Sequence, residues 1–321
     1  MKIYSFIDEF SSFLPCVFTL GFFDGVHIGH KKVIQNLIFR ARGKYCSVLL
    51  TFNPHPKEVL IPRKNILYLN TLSERIHHIK KTGIEHLIVH PFTQDFSKLR
   101  TKDFFQKILF SKMKIKKIIT GYDSHLGKNR DGSSHQLKKF SKSYGFQFYQ
   151  VNPYKYKKKI ISSTNIRKSL LKGNIEWANK ALGYLYSLSG YVIKGKGIGK
   201  TLDFPTANIQ IDEKKLIPKK GVYAVKINIF NPFYQGMMNI GICPTVDKKN
   251  KKIKIEVHIF DFYQEIYGKK IDIFIVKRIR EEKKFRSLQD LKKQIKKDQI
   301  KIEYFFERNR LNKIFYCDKK N

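Results

Sequence analysis

The segment Gly21-Phe22-Phe23-Asp24-Gly25-Val26-His27-Ile28-Gly29-His30 is the strongest motif of this sequence, and it lies between a predicted strand and a predicted helix. The apolar segment Val17–Leu20 before it predicts a strand, and the apolar residues between Val33 and Ala41 recur at helical spacing. Glycines between a strand and a helix let the backbone approach a ligand, and a helix start presents unpaired N–H groups to an anion. The stretch is therefore typical of a phosphate-binding turn at the edge of a parallel sheet.

Strand and helix patterns alternate through the first half of the chain. A capping box at Thr71 and Glu74 predicts a helix start, and Thr164–Leu182 predicts a helix that breaks near Gly173. Alternating units of this kind predict an α/β domain, Rossmann-like, with a parallel sheet between helices. The further strands are predicted at Ser47–Phe52, Glu85–Val89, Ile115–Thr120 and Phe146–Val151.

After Gly183 the pattern changes to short segments in which apolar and polar residues alternate, with Gly and Pro between them. This pattern predicts an all-β antiparallel barrel or sandwich, and Ser287-Leu288-Gln289-Asp290 predicts the cap of a terminal helix. We therefore expect two domains, residues 1–184 and residues 185–321. The segments are Leu188–Ile193, Val222–Ile229, Lys252–Phe260 and Ile271–Val276.

The net charge of +38, from 64 basic and 26 acidic residues, has two interpretations. One is a protein built to bind nucleic acid, and the other is a compositional bias that fills solvated positions with lysine. Lysine is spread along the whole chain, whereas nucleic-acid-binding proteins usually concentrate charge on one face. The second interpretation is favoured, so no specific nucleic-acid partner is expected.

The cysteines and the apolar segments indicate a cytoplasmic protein. The four cysteines form no CxxC pair, which argues against a disulfide framework or a zinc site. The first ten residues lack the pattern of a signal peptide, and no apolar run reaches the ~18 residues of a membrane span. No membrane association is expected.

His27 and His30 lie three residues apart at the predicted helix start, so both imidazoles can share one face. Two donors at this position suit the stabilisation of charge on a phosphate during an in-line displacement. The alternatives are two surface histidines at a helix start, or a zinc site that lacks a third ligand at a suitable spacing. His55 follows a predicted strand and is expected to line the same site.

The second half carries its own candidate phosphate site. Gly195-Lys196-Gly197-Ile198-Gly199-Lys200 is glycine-rich and basic, although it lacks the spacing of a Walker loop. Thr206 and Asn208 offer a hydroxyl and an amide oxygen, which suit a magnesium ion on nucleotide phosphates. Glu256 lies on the polar face of an alternating strand.

These motifs together resemble the bacterial bifunctional riboflavin kinase/FMN adenylyltransferase family. GFFDGVHIGH is similar to the family's GxFDGxHxGH signature, which is shared with the wider HxGH nucleotidyltransferases. The other matches in the first half are Thr51–Pro56, Gly121–Asp123 with Gly127–Gly132, and Ile161–Arg167. In the second half they are Gly190–Asn208, Gly221–Tyr223, Asn239–Gly241 with Pro244–Thr245, Glu256–Phe262 and Arg280–Phe285.

The resemblance implies two reactions: phosphorylation of riboflavin by ATP to FMN, and adenylyl transfer from a second ATP to FMN to give FAD and pyrophosphate. It implies Mg²⁺ as the cofactor and small molecules as the partners. It implies that His27 and His30 hold the ATP phosphates and that Glu256 is the general base for the ribityl hydroxyl. The other residues implied to bind the nucleotide, flavin or magnesium are Gly21, Phe23, Asp24, Gly25, Gly29, Asn53, His55, Asp123, Arg130, Ser163, Thr164, Arg167, Gly195, Lys196, Gly197, Lys200, Pro205, Thr206, Asn208 and Arg280.

Two departures from the family pattern leave the function open among three hypotheses. Ser124-His125-Leu126 replaces an aromatic-rich stretch, and Asp203 replaces a glycine, so an acid stands beside a triphosphate. The hypotheses are an enzyme with both activities, an enzyme that retains only one of them, and a basic nucleic-acid-binding protein.

Overall fold

The computed structural model describes residues 1–61, 66–122, 133–195, 197–229, 233–242 and 253–317. The chain forms two compact units, Met1–Asn165 and Ile166–Asn321. The division falls before the boundary predicted after residue 184 because helix α8 (Ile175–Leu182) packs on the second unit, where the Asn179 amide donates to the carbonyl of Ile275. The boundary after residue 184 stays a prediction. No helix in the described ranges is long and apolar enough to cross a membrane.

The first unit contains a six-stranded parallel sheet in the order β1-β4-β3-β2-β5-β6. The predicted parallel α/β architecture is confirmed, and the edge strand β1 was not predicted. The strands are β1 (Lys2–Tyr4), β2 (Cys16–Leu20), β3 (Cys46–Phe52), β4 (His86–His90), β5 (Ile115–Gly121) and β6 (Gln147–Val151), with a separate hairpin of β7 (Lys155–Tyr156) and β8 (Lys159–Ile160).

Both faces of the sheet are buried, as the apolar runs predict for parallel strands. Alternate residues of one strand enter different cores: Phe18 packs in one cluster, and Val17 packs in the other. The α-helices of the described part of this unit are α1 (Ile28–Ala41), α2 (Pro56–Leu60), α3 (Leu72–Lys80), α4 (Gln94–Lys98), α5 (Thr101–Asp103), α6 (Ser134–Tyr144) and the start of α7 (Ser163–Leu171), with a 3-10 turn at Ile7–Glu9 and a π-helix at Phe104–Phe110.

Two cysteines that are distant in sequence meet at the start of the sheet. Cys16 and Cys46 are register partners on β2 and β3, both are buried and reduced, and their Sγ atoms lie 2.8 Å apart. Both thiols are directed at the carbonyl of Leu14. The pair stands at the amino ends of the strands, whereas ligands of such sheets bind at the carboxyl ends.

The second unit contains a closed antiparallel barrel in the order β10-β13-β12-β11-β14-β9, and β9 closes it by pairing with both β14 and β10. Of the two predicted alternatives, the barrel is therefore correct. Strands β10 and β12 were not predicted. The strands are β9 (Ser187–Ile193), β10 (Ala207–Ile211), β11 (Gly221–Asn228), β12 (Tyr234–Ile242), β13 (Ile253–Ile259) and β14 (Lys270–Arg280).

Helices frame the barrel. The predicted break near Gly173 is confirmed: Asn174 caps α8 by accepting from the N–H of Trp177, and Gly183 ends it in the left-handed conformation. A short helix α9 (Ile198–Thr201) follows β9. The terminal helix α10 (Leu288–Cys317) buries Ile302 and Phe306 against barrel residues such as Val222 and Met237.

The closure of the barrel predicts a sensitive position at Gly190. A Cβ atom on Gly190 would lie 2.2 Å from the carbonyl oxygen of Gln210 on the paired strand. We expect Gly190→Ala to lower the free energy of unfolding by about 1–3 kcal/mol, because the backbone of β9 or β10 must shift. Urea unfolding followed by the fluorescence of Trp177, the chain's single tryptophan, which lies in this unit, measures the change.

The matched control for Gly190→Ala is Gln210→Ala, which removes an exposed side chain on the paired strand. This control is expected to stay within about 0.5 kcal/mol of the wild type. A Gly190→Ala protein as stable as the wild type contradicts the tight approach of the two strands.

Candidate active sites

The loop between β2 and α1 takes a strained path. Phe23, Gly25 and Val26 have φ angles of 55°, 83° and 34°, in the left-handed region. Glycine adopts that region readily, but a buried aromatic residue and a β-branched residue do not. Each such conformation costs on the order of 1–3 kcal/mol, so the surrounding structure must hold it.

Asp24 forms several of the hydrogen bonds that hold the loop in this conformation. Its carboxylate is buried and accepts from the backbone N–H groups of Leu69 and Asn70, each at 3.0 Å. The backbone carbonyl of Asp24 accepts from the hydroxyl of Ser163 at 2.9 Å. The predicted ligand-binding Asp24 thus binds the protein's own backbone and ties the loop to the entry of α3 and to the start of α7.

The structure brings His27 and His30 together at the start of α1. His27 caps this helix, because its Nδ1 accepts from the N–H of His30 at 3.2 Å. Because Nδ1 accepts this bond, Nε2 is the ring nitrogen of His27 that is available to donate. The two rings stack with centroids 3.6 Å apart and planes at 15°. Gly29 makes room, since a Cβ there would lie 3.1 Å from Cε1 of His27.

His30 is electrostatically poised for an anion. Its Nδ1 is buried and has no hydrogen-bond partner within the described ranges. Burial, and then the nearby charge of His27, lower the pKa of His30 well below its ordinary value. His30 is therefore neutral at pH 7 in the ligand-free structure, and a phosphate placed beside it would raise its pKa.

The end of β3 brings a third ring to the same loop. His55 caps α2, where its Nδ1 accepts from the N–H of Lys57 at 2.9 Å. The His55 ring packs on Phe22 with centroids 4.1 Å apart. Asn53 binds through its backbone N–H to the carbonyl of His90, and its residue surface is exposed.

The start of α7 holds the predicted Ser-Thr-Arg set. The helix is capped by Ser162, whose hydroxyl accepts from the N–H of Asn165, while Ser163 is bound to the β2–α1 loop. Thr164 is exposed, and Arg167 follows it three residues later on the same helix face. A helix start with these side chains is suited to bind an anion.

Arg75 is a charged residue of this site that the sequence pattern did not indicate. The side chain is only 2% exposed, and its Nη1 and Nη2 donate to the carbonyls of Phe22 and Phe52 at 3.0 and 2.9 Å. Burial lowers the pKa of Arg75 to about 10, which the charge of Asp24 partly opposes. The sequence offered one signal for the burial of Arg75, which is its position on the same face of a predicted helix as Ile79.

In the second unit the barrel register assembles a polar row. Glu256 on β13 is the register partner of Asn208 on β10 and of Asn239 on β12. Residues opposite each other in antiparallel strands present their side chains on the same face about 5 Å apart. The row brings together two predicted site residues and adds Asn239, which the sequence placed in a motif without a role.

Two glycines leave space around the row and the segment before it. A Cβ on Gly195 would lie 2.0 Å from Nδ2 of Asn208, and a Cβ on Gly199 would lie 2.4 Å from the carbonyl of Phe204 and 2.9 Å from Oγ1 of Thr206. Gly197 has a φ of 74°. The glycines of this segment thus let the backbone approach the side chains of Thr206 and Asn208.

The other polar residues of β13 have partners. Lys254 donates to Oε1 of Glu256 at 2.6 Å, with both side chains partly buried. His258 Nδ1 lies 2.8 Å from the carbonyl of Pro205, so it donates to that oxygen and fixes the backbone just before Thr206. In the ligand-free site the carboxylate of Glu256 is therefore paired with the ammonium group of Lys254.

Arg280, predicted to approach the flavin, binds within the unit. Its Nε and Nη2 lie 2.7 Å from Oδ2 of the buried Asp298 on α10, and its Nη1 donates to the carbonyl of Glu281. These bonds tie the end of β14 to the terminal helix. A contact between Arg280 and the flavin stays a prediction.

Asp203, which replaces a family glycine, keeps the backbone of a glycine. Its φ is 64°, and aspartate tolerates this region better than most residues. Its carboxylate forms an ion pair with Lys292 of α10, so a lysine of the terminal helix compensates the negative charge.

Several predicted residues lie outside the described ranges: Asp123, Arg130 and Lys196, together with Ser124–Leu126 and Pro244–Thr245. Lys200 lies in α9. Among the residues that the structure describes, no group of three or more His, Cys, Asp or Glu side chains is arranged to hold a metal. A magnesium site here would depend on hydroxyl and amide oxygens.

Comparison with known proteins assigns each half to a family. Residues 10–165 match the model of the FAD synthetase family, and residues 182–306 match the model of the riboflavin kinase family. The chain is 41% identical to a bifunctional riboflavin kinase/FMN adenylyltransferase of Buchnera aphidicola subsp. Schizaphis graminum, over 89% of this chain and 93% of that protein.

A second relative and a solved structure extend the likeness over most of the chain. A bifunctional riboflavin kinase/FMN adenylyltransferase of Listeria monocytogenes is 39% identical, over 90% of this chain and 92% of that protein. A crystal structure described as a macrolide-efflux protein from Streptococcus pneumoniae is similar with a TM-score of 0.85 and 31% identity, over 93% and 97% of the two chains.

The low pKa of His30 predicts a pH dependence of stability. Its folded-state pKa lies below the unfolded value of about 6.5, so the unfolded chain takes up a proton that the folded chain does not. The free energy of unfolding is therefore expected to be level above that pH and to fall as the pH drops below it. His30→Gln should reduce this slope, measured as the urea midpoint at pH 7.5 and 5.5 by circular dichroism.

His86 and His90, whose pKa values burial also lowers, are expected to keep part of the slope in His30→Gln. His77→Gln, at an exposed position of α3, serves as the control and should keep the wild-type slope. An unchanged slope in His30→Gln contradicts a His30 whose pKa is lowered in the folded chain.

Proposed function

This chain belongs to the family of bifunctional riboflavin kinases/FMN adenylyltransferases, and we propose on that premise which residues of each half carry out its reaction. The chain phosphorylates riboflavin to FMN with ATP and then transfers an adenylyl group from ATP to FMN. The observation that carries the assignment is the separation of the reactive side chains: the stacked histidines lie in Met1–Asn165 and the carboxylate of Glu256 lies in Ile166–Asn321.

In the first unit we assign adenylyl transfer to the β2–α1 loop. A phosphate oxygen of FMN attacks the α-phosphorus of ATP, the bond to the bridging oxygen breaks, and pyrophosphate leaves. No protein nucleophile is needed, so the task of the site is to hold the phosphates and to stabilise the charge of the transition state. His27 and His30 do this from the start of α1, with the backbone N–H groups of Gly25 in the loop and of Gly29 in the first turn of α1 close by.

Ser163, Thr164 and Arg167 are proposed to bind the triphosphate from the start of α7. The bond from Ser163 to the carbonyl of Asp24 supports this role, because it fixes that helix start against the β2–α1 loop. Asn53 and His55 at the end of β3, with Phe22 under the imidazole of His55, are proposed to face the flavin or the adenine. Asp123 and Arg130 are proposed to contact the same ligands by their family motif.

In the second unit we assign phosphoryl transfer to the row of Asn208, Glu256 and Asn239. The terminal ribityl hydroxyl of riboflavin attacks the γ-phosphorus of ATP, its proton passes to the carboxylate of Glu256, and ADP leaves. A carboxylate within hydrogen-bond reach of the hydroxyl is the acceptor that this step requires. The ion pair with Lys254 must loosen for Glu256 to accept the proton.

Mg²⁺ is the proposed cofactor of the kinase half. The donor set fits this ion, because the hydroxyl of Thr206 and the amide oxygen of Asn208 are hard oxygen ligands. The space that Gly195 and Gly199 leave over these side chains supports the fit. When bound, the ion neutralises charge on the nucleotide phosphates; the orientation of the hydroxyl stays the task of Glu256.

The remaining assignments concern partners and location. We propose that the partners are riboflavin, FMN and ATP. We also propose that the high positive charge does not bind a specific nucleic acid. A cytoplasmic location is proposed because the four cysteines form no CxxC pair, which fits a reducing compartment.

The proposed division of residues predicts two opposite losses. His30→Ala should slow FAD formation from FMN and ATP by about 10²-fold or more and leave FMN formation unchanged, because one donor to the phosphates is lost. Glu256→Ala should slow FMN formation from riboflavin by about 10²–10⁴-fold and leave FAD formation from added FMN unchanged, because the general base is lost.

Both half-reactions are measured separately by chromatography of the flavins, and each variant is the control for the other. A folded variant in which either change abolishes both reactions contradicts the assignment of separate sites.

A further inference from the structure

Arg75 occupies a position that no part of the two reactions explains. It lies in the middle of α3, it is almost fully buried, and it is bound to neither a carboxylate nor a phosphate by a described hydrogen bond. Burial of a guanidinium is costly unless its donors are used. Two N–H groups of the Arg75 guanidinium donate to backbone carbonyls in two different segments of the chain.

The two acceptors of Arg75 mark the two segments that build the first site. The carbonyl of Phe22 belongs to the loop that leads to His27, and the carbonyl of Phe52 ends β3 just before Asn53 and His55. The guanidinium carbon also lies 4.0 Å from the centre of the Phe22 ring, on which His55 packs. One side chain therefore contacts both segments through their backbones and through an aromatic ring.

The carbonyl oxygen of Phe22 accepts a second hydrogen bond from another side chain. The contact between Arg75 and this carbonyl can therefore be tested independently. The hydroxyl of the buried Thr51 donates to the same carbonyl at 3.1 Å. Directly after Phe22 the backbone enters the left-handed conformations of Phe23 and Val26. A strained loop relaxes when its restraints are removed, so the position of the following histidines depends on the bonds at Phe22.

We propose that Arg75 is a positioning residue of the adenylyl-transfer site, which holds the β2–α1 loop and the end of β3 at the separation that the transition state requires. It acts through the carbonyls of Phe22 and Phe52 and does not touch the reacting atoms. The inference rests on the proposed function of this half. The inference goes beyond that function in one respect: a residue of α3, a helix that carries none of the family motifs, determines the geometry of the histidine pair.

The first test compares Arg75→Lys and Arg75→Met in single-turnover FAD formation, with the protein in excess over FMN and with saturating ATP. The single-turnover rate constant does not depend on the fraction of chain that is folded, so loss of folded protein alone leaves it unchanged. We expect Arg75→Met to lower it by about 10²-fold, because a displacement of about 1 Å is sufficient for such a loss. Arg75→Lys keeps a donor for one carbonyl and is expected to recover about tenfold of that loss.

The steady-state constants and a control variant separate positioning from general damage. Both Arg75 variants should change kcat much more than the KM for FMN, and both should phosphorylate riboflavin at the wild-type rate. Lys80→Met, which removes an exposed cation from the last turn of α3, should match the wild type in every assay.

The second test is a double-mutant cycle with Thr51→Val, which removes the other donor to Phe22. If Arg75 acts through that carbonyl, the effects of Arg75→Lys and Thr51→Val on the single-turnover rate constant are not additive. Additive effects, or a wild-type rate constant in Arg75→Lys and Arg75→Met, overturn the inference. A wild-type chain that forms no FAD at all overturns the proposed function instead.

Discussion

The backbone between β2 and α1 must follow a path that its own residues disfavour, and most of the first site depends on this constraint. Phe23 and Val26 stand in left-handed conformations although neither is glycine. The path is held because Asp24 binds the backbone of Leu69 and Asn70 and accepts from Ser163. Three segments that are far apart in sequence thus meet at one buried residue, and the helix start with its two histidines follows from their meeting.

In the second unit, regular pairing of antiparallel strands brings the site residues together. Antiparallel strands place residues in rows, and the register of β10, β13 and β12 puts Asn208, Glu256 and Asn239 in one of them. Little strain is needed at the row itself, since the pleat already directs the side chains to one face. In the segment before β10, Gly197 and Asp203 have left-handed backbone, and Gly195 and Gly199 let the chain approach the side chains of Thr206 and Asn208.

The two units also differ in how they use charge. In the first, the partly buried imidazole of His30 and the buried guanidinium of Arg75 flank the loop, and burial lowers the pKa values of both. A phosphate placed beside His30 would raise the pKa of that imidazole. In the second, the acids near the site are already paired, Glu256 with Lys254 and Asp203 with Lys292. The ion pair with Lys292 of the terminal helix thus compensates the negative charge that Asp203 introduces in place of the family's glycine.

From sequence patterns alone, most of the strands and the kind of chemistry could be predicted. Hydrophobic periodicity is a local property, so it predicted the parallel strands around Val17 and Leu49. The spacing of His27 and His30 within one turn predicted that both imidazoles share one face. The strand and helix patterns also predicted the change of architecture after Gly183. Short motifs carried the family resemblance, since their residues are neighbours in the chain.

Which distant groups meet depends on the folded chain. The bonds of Arg75 to Phe22 and Phe52, the row that adds Asn239, and the choice of a barrel over a sandwich all depend on register and on long-range packing. The motifs also gave no sign that the side chain of Arg280 binds Asp298 or that the side chain of Asp24 binds the backbone of Leu69. Local sequence does not specify such partners, because a buried charge is satisfied by whichever group the fold brings to it.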